Sequence, residues 1–527
     1  MNVIKIYFLK TKSYLSKRKI PVLLLLSYLA VITLLSCNHI VWRDEVRALS
    51  LGIESRSLSE LSQKLHNEGT PIVWYAILYA GFFLTQSTLI LKIASIAIAA
   101  CFAYVFFFKA PFSWPQKALF LFGFYPVYQY SVICRNYGIG VLLLFLFCAL
   151  YPKRFEKIIL TSIVLALFAN TSAHSLIIAF AIFLSMLAEW IFLKEEKYKQ
   201  VKVFIGFLII AVGIAFSAFQ IYPDKTTVAS QVFQLTPLLV AKAGFNALVF
   251  PGEYFFAALG FQNIFFGNNV LSALLTSIVI WLMYVLLFRK PFVLSFFFMS
   301  ITALGMFSQL VYKFHMHHQG FLLILLVAVL WLDHPRGKEV NAPTNTKWLG
   351  LFIEFLSKYK SILLYILLIL QVVMAGQAVY SEYQSPFSSS KKLSELLRQD
   401  LSLKDAIVIG EPDYAMDSLP YYVNNQIFIP RERRFGKAVQ FTKENEQAFS
   451  LGGLLETAQE IKNKLQRPVI IALGHDLKKD TPYRFFGYNK VFVYSPEQLR
   501  RLSEQTRQIA SFRGALTDEN YDIFIVK

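Results

Sequence analysis

Charge is scarce in this chain. Only 16% of its 527 residues are Asp, Glu, Lys or Arg, against about 25% in soluble domains, while 56% are apolar. That balance argues against a wholly soluble protein, and against a disordered one, which would be poor in apolar residues. Cysteine is scarcer still. The four, at 37, 101, 134 and 148, form no CxxC pair and lie in or beside apolar runs, which argues against a disulfide framework or a cysteine zinc site. Acids number 33 against 52 Lys and Arg, a net charge of +19. In a membrane protein such an excess is read by location, because basic residues mark cytoplasmic loops, so no nucleic-acid partner follows from it. Aromatic residues are abundant: 50 Phe and 27 Tyr, many inside long apolar runs. The composition is that of a polytopic α-helical membrane protein.

A helix needs ~20 mostly apolar residues to cross a bilayer. Ile20–Cys37 is the first such run, and residues 1–19 before it carry Lys5, Lys10, Lys12, Lys17, Arg18 and Lys19 with no acid. This basic tail is predicted to be cytoplasmic. Cys37-Asn38-His39 supplies no small-x-small cleavage site, which argues against a removed signal peptide. Further runs at 89–108, 118–134, 138–152, 158–173, 175–193, 203–221, 269–288, 292–312, 318–332 and 361–380 give about eleven spans.

Pro71–Leu84 is shorter and decides the topology. Were it to span, Lys109/Lys117, Lys153/Arg154/Lys157, Lys194/Lys197/Lys199/Lys202, Arg289/Lys290 and Arg336/Lys338 would all face outside. An interfacial helix puts every one of them inside, as the charge rule requires. The loop 38–88, the loop 222–268 and the chain after 381 are then external. A transmembrane domain over 20–380 is followed by a domain over 381–527. There, apolar runs shorten to strand length at Ala406–Ile409, Gln426–Ile429, Val469–Leu473 and Tyr521–Val526, with a helical stretch at Leu451–Leu465. This alternation predicts a soluble α/β domain, joined through a linker at Ser385–Ser390. Gly452-Gly453 lacks Walker or dinucleotide spacing, so no nucleotide is assigned.

Chemistry-bearing residues cluster in the first external loop. Val41-Trp42-Arg43-Asp44-Glu45-Val46-Arg47 follows the first span directly. Leu49, Ile53, Leu58, Leu61 and Leu65 then recur at roughly helical spacing, as in a helix lying on the bilayer surface. His66-Asn67-Glu68-Gly69-Thr70-Pro71 leads into the interfacial helix. Tyr130-Ser131-Val132-Ile133-Cys134-Arg135-Asn136-Tyr137 opens the next external turn, and Lys313-Phe314-His315-Met316-His317-His318 forms another. Lys92 stands at the external end of the second span, and His174 ends a later one, after Asn170.

The order of these parts, over roughly residues 20–335, resembles the GT-C glycosyltransferase superfamily, and within it the protein O-mannosyltransferases and lipid A aminoarabinose transferases. The resemblance implies a hexosyl- or pentosyltransferase of the plasma (inner) membrane. Its donor would be a polyprenyl-phosphate-linked sugar, presented among membrane lipid. Its acceptor would be a hydroxyl on a protein, glycolipid or polysaccharide, and single displacement would invert the anomeric centre. Asp44 corresponds to the family's loop acid and would be the general base, since a hydroxyl is a poor nucleophile without one. Glu45 would orient Asp44 or raise its pKa. Arg135 would bind the departing phosphate through two donors, with Lys92 and Lys313 as secondary candidates. His66, Glu68, Tyr137, His174, His317 and His318 are candidates for the substrate cavity. Many relatives carry an acid two residues before the Arg; Ile133 stands there, so a divalent metal lacks its second acidic ligand and no cofactor is assigned.

Two other classes compete. A secondary transporter would carry ionisable residues at midplane and inverted repeats, whereas here the acids gather in an external loop and no repeat is evident. A membrane scaffold would explain the terminal domain but leaves Asp44, His66 and Arg135 without a role.

Overall fold

Long apolar runs dictate long helices, because within a bilayer each backbone N–H and C=O must be bonded inside its own segment. The computed structural model describes residues 2–193, 200–223, 235–265, 267–334, 347–443, 445–477, 483–487 and 490–527. Among these, eight helices are long and apolar enough to cross a membrane: Lys19–Asn38, Ile90–Lys109, Ala173–Phe192, Gln200–Ile221, Asn269–Arg289, Pro291–Leu310, Met316–Asp333 and Lys347–Gln384. Leu23, Phe192, Phe204 and Phe219 on their outer faces are each at least 65% exposed, a surface suited to lipid rather than water. The chain is a multi-pass membrane protein. Tyr137–Leu150 and Ile158–Ala169 are shorter helices at two further expected spans.

The expected span 118–134 is not one helix. Trp114–Leu121 is followed by a π-helical turn over Phe124–Gln129 and irregular chain up to Arg135. Pro126 has no N–H to give a helical ladder. Gly123 packs so closely on the Lys347–Gln384 helix that a Cβ would lie 2.8 Å from that of Gln371. Side chains satisfy the freed backbone: Tyr28 Oη donates to Pro126 O (2.8 Å) and Ser95 Oγ to Ser131 O (2.8 Å). Irregular chain at membrane depth requires such partners. The expected loop 222–268 also differs, since it contains a helix, Pro237–Val249. Pro237 at its first turn and the Thr236 side chain, which accepts the Leu239 N–H (3.2 Å), start that helix.

The helix after Pro71, Val73–Thr85, has 13 residues. At 1.5 Å per residue it falls short of the ~30 Å hydrocarbon core. Before it, Ile72 N–H donates to Gln220 Oε1 (3.2 Å); after it, Thr88 Oγ1 donates to Tyr421 O (3.1 Å). It therefore enters and leaves at the end of the bundle that carries the α/β domain. The described basic clusters lie at the opposite end. There Lys117 Nζ donates to Phe107 O (2.8 Å), Arg154 pairs with Glu189, and Lys290 and Lys360 share Asp333. Lys194, Lys197, Lys199, Arg336 and Lys338 lie outside the described residues.

The α/β domain has strands β1 (Ile407–Glu411), β2 (Ile427–Ile429), β3 (Arg434–Phe435), β4 (Ala448–Ser450), β5 (Val469–Leu473), β6 (Tyr483–Gly487), β7 (Lys490–Tyr494), β8 (Thr506–Phe512) and β9 (Tyr521–Val526). A six-stranded sheet has the order β3-β2-β1-β5-β9-β8, and a smaller one β4-β7-β6. β2, β1 and β5 are parallel, whereas β3, β9 and β8 run antiparallel to their neighbours. β1 and β5 are buried at every position, as central parallel strands covered on both faces must be. Val408 and Ile470 pack beneath the Ser390–Gln399 helix, and Ile407, Ile409 and Ile471 beneath Leu451–Leu465.

The stretch read as a linker is a buried joint. Ser388, Ser389 and Ser390 are at most 1% exposed. Ser388 Oγ donates to Glu519, Ser390 Oγ to Val41 O (3.2 Å), and Arg43 N–H to Glu519 Oε1 (2.8 Å). The Ser388 and Ser390 hydroxyls, which look like linker chemistry in sequence, here satisfy buried partners across the junction.

Candidate active site

The first helix of the loop, Arg43–Glu54, follows the membrane helix after a four-residue turn. Successive helical side chains diverge by about 100°, so the adjacent acids face different surroundings. Asp44, Arg47 and Ala48 share the face that lines a cavity of about 190 Å³. Glu45 shares the opposite face with buried Leu49 and Gly52. The cavity sits between the membrane end of the bundle and the α/β domain. Arg43, Glu68, Thr70, Trp74, Tyr75, Arg135, Asn136 and Tyr312 line it from the bundle, and Tyr414, Asp417 and Phe441 from the domain.

Asp44 and Arg135 meet here. Arg135 Nη1 donates to Asp44 Oδ2 at 3.2 Å and to His317 Nε2 at 3.3 Å. That second bond requires a lone pair on Nε2, so His317 is neutral at that nitrogen. Tyr137 lies under the guanidinium, 5.2 Å from ring centroid to Cζ. Asp44 is 29% exposed in its side chain and Arg135 19%. Both can be reached from the cavity.

Of the neighbouring arginines, Arg47 has all three of its side-chain nitrogens engaged. Arg47 holds Glu68 through Nε and Nη2 (2.7 and 2.6 Å), Asp417 through Nη1 (2.6 Å) and the Val439 carbonyl (2.7 Å). Arg43 pairs with Asp518, faces Asp44 Oδ1 through Nε at 3.6 Å, and stands over the rings of Trp42 and Tyr414. Burial raises the Asp417 carboxyl to about 7 despite Arg47. Burial likewise raises Glu519 to about 8, against Arg43 and Ser388.

The remaining predicted residues divide. Glu68 lines the cavity; Tyr137 and His317 support Arg135 from behind. His174 and His318 form a deeper layer, stacked with ring centroids 4.7 Å apart, and His174 also lies flat against Phe321. Gly320 lets Tyr125 and Tyr130 close on this layer, since a Cβ there would lie 2.3 Å from the Tyr125 ring. Glu45 does not face the cavity; it is fully buried. Lys92 Nζ donates to Ser36 O (2.6 Å) and His39 O (2.8 Å), capping the first membrane helix, a usual role for a cation at a helix C-terminus. His66 packs its ring on Phe219, and Lys313 is exposed and does not line the cavity. Among the described residues, no group of three or more His, Cys, Asp or Glu side chains is arranged to hold a metal ion. Ile133 is itself buried.

Sequence reading missed Arg43, Arg47, Tyr312, Tyr414, Asp417 and Phe441. Arg47 had a signal: it stands one turn beyond Asp44, on the same helical face. The domain residues had none, because they reach the cavity only through the tertiary fold.

No known protein family and no curated protein sequence matches the chain. Among solved structures, it is similar to the crystal structure of ArnT from Cupriavidus metallidurans bound to undecaprenyl phosphate. The two share 11% identity and superpose with a TM-score of 0.46, over 96% of this chain and 97% of that one.

Proposed function

We propose that this protein is a GT-C-type glycosyltransferase that moves a sugar from a polyprenyl-phosphate donor to an acceptor hydroxyl at the external membrane face. The observation that carries the reading is the Asp44–Arg135 pair, 3.2 Å apart, in a cavity between membrane helices and a soluble domain. A lipid-bound anomeric carbon and an aqueous hydroxyl can both reach that position. The end opposite the cavity gathers the described basic clusters, which favours a cytoplasmic location for that end and an external one for the cavity.

In this mechanism Arg135 turns its guanidinium toward the donor phosphate. Only Nη1 has hydrogen-bond partners among the described residues, which leaves the other edge of the fork for two phosphate oxygens. Asp44 Oδ2, freed from Arg135 while Oδ1 still faces Arg43, accepts the proton of the acceptor hydroxyl. The acceptor oxygen forms the new bond to the anomeric carbon. The bond from that carbon to phosphate oxygen breaks, and the electron pair leaves on the phosphate, whose charge Arg135 balances. Attack opposite the leaving group inverts the anomeric centre. The sugar and the acceptor are left open by this geometry.

The test is incubation of the purified protein with radiolabelled polyprenyl-phosphate sugars and a panel of hydroxyl acceptors. Label is expected to move to an acceptor with release of polyprenyl phosphate. Uptake of solute into proteoliposomes, with no transfer from any donor, would favour a transporter instead.

A further inference from the structure

Asp44 and Arg135 belong to different elements and touch through a single contact of 3.2 Å. Something else must fix their separation. We propose that Glu45, His39 and Glu382 form a positioning clamp that sets Asp44 opposite Arg135. This rests on the reading of those two residues as the reactive pair.

The Glu45 carboxylate grips both sides at once. Its Oε1 accepts the Trp42 N–H (3.1 Å), at the start of the helix that carries Asp44. Its Oε2 accepts the N–H of Cys134 (2.6 Å), the residue immediately before Arg135. Charge-assisted bonds of this kind are short and about twice as strong as neutral ones. One rigid carboxylate thus ties the backbone beside the base to the backbone beside the phosphate-binding cation.

A carboxylate with no solvent exposure needs a counter-charge. His39 supplies it. Its Nε2 faces Glu45 Oε1 at 2.9 Å and its Nδ1 faces Glu382 Oε1 at 2.6 Å. Two carboxylates make both ring nitrogens donors, which is the imidazolium form. Burial alone would lower the His39 pKa, but Glu45 and Glu382 outweigh it and raise it to about 9. Tyr128 Oη donates to Glu382 Oε2 (2.6 Å), and Lys92 Nζ holds the His39 carbonyl (2.8 Å). The clamp therefore joins the first membrane helix, the π-helical turn, the helix Lys347–Gln384 and the reactive loop.

Glu45→Gln tests this. A glutamine keeps the shape but must turn its NH₂ toward one of the N–H donors, so one grip is lost. A displacement of about 1 Å can cost ~10² in rate; turnover is expected to fall about 10–10²-fold while the KM for donor stays within about twofold. The decisive comparison repeats the substitution in an Asp44→Asn background. If Glu45 acts by placing Asp44, the second loss disappears. Glu382→Gln, more peripheral, should behave the same way with a smaller loss, and serves where Glu45→Gln folds poorly. An undiminished loss from both substitutions in the Asp44→Asn background would make the network a general scaffold and overturn the clamp. Normal transfer by Asp44→Asn alone would instead overturn the reading of the reactive pair, and the clamp with it.

Discussion

Arg47 and Arg135 carry the same side chain and face the same cavity, yet their surroundings differ. Arg47 uses its donors on Glu68, Asp417 and the Val439 carbonyl, so it welds the reactive loop to the α/β domain. Among the described residues, Arg135 engages Asp44 and His317 through Nη1 alone. A guanidinium whose hydrogen bonds are complete holds structure, and one with unengaged donors beside a reachable carboxylate is suited to a ligand. The same distinction separates Asp44, partly exposed, from Glu45, fully buried and bonded to His39, Trp42 and Cys134. Charge count does not identify a site here; unsatisfied capacity does.

The largest effect is expected at the exposed half of the comparison. Asp44→Asn keeps the shape but cannot take a proton, and general-base contributions run to ~10²–10⁴. Transfer should fall by about that factor in a radiolabel assay, with thermal unfolding unchanged. Arg135→Lys comes next. It retains charge but loses the planar fork, and losing a phosphate-side donor costs about 10²–10³ in turnover. Full activity of Arg135→Lys would make the residue a bystander.

Arg47→Ala should reverse the pattern. It leaves Glu68 and Asp417 buried without their cation, and breaking a buried pair typically costs about 3 kcal/mol or more. Thermal unfolding in detergent should move down clearly, while folded molecules keep most of their donor affinity. A variant with normal stability and no donor binding would place Arg47 on the Arg135 side of the comparison.

The smallest effect is one of pH. Asp417 and Glu519 sit at the joint with carboxyls raised to about 7 and about 8. Because the folded protein binds these protons more tightly than the unfolded chain does, their contribution to stability is greatest near pH 4. It falls as pH rises through about 7 and about 8 and levels off beyond the higher value. Asp417→Asn should flatten the Asp417 share of the slope, read as melting temperature against pH.

Much of the fold was legible because length and apolarity alone require a membrane helix. Four strands and the helix Leu451–Leu465 were equally visible, as short apolar runs between turns. The broken segment at 118–134 was not, because its apolar composition hides the effect of Gly123 and Pro126. At the site, the order of motifs along the chain singled out Asp44 and Arg135, which meet in the cavity. Glu45 was read as orienting Asp44, and Lys92 as a secondary phosphate candidate. Helical phase turns Glu45 away, and a pair of backbone carbonyls captures Lys92. Asp417 and Phe441, far along the sequence, meet the loop only once the α/β domain has docked.

The most direct test of the central claim, that Arg135 holds the donor phosphate while Asp44 competes for it, is equilibrium binding of polyprenyl phosphate to three proteins. A hydrogen bond to a charged group contributes about 1.5–3 kcal/mol, so Arg135→Ala should bind about 10–10²-fold more weakly than the unaltered protein. Asp44→Asn, which removes the competing carboxylate, should bind as tightly or more tightly. Equal affinity for Arg135→Ala and the unaltered protein would contradict the account.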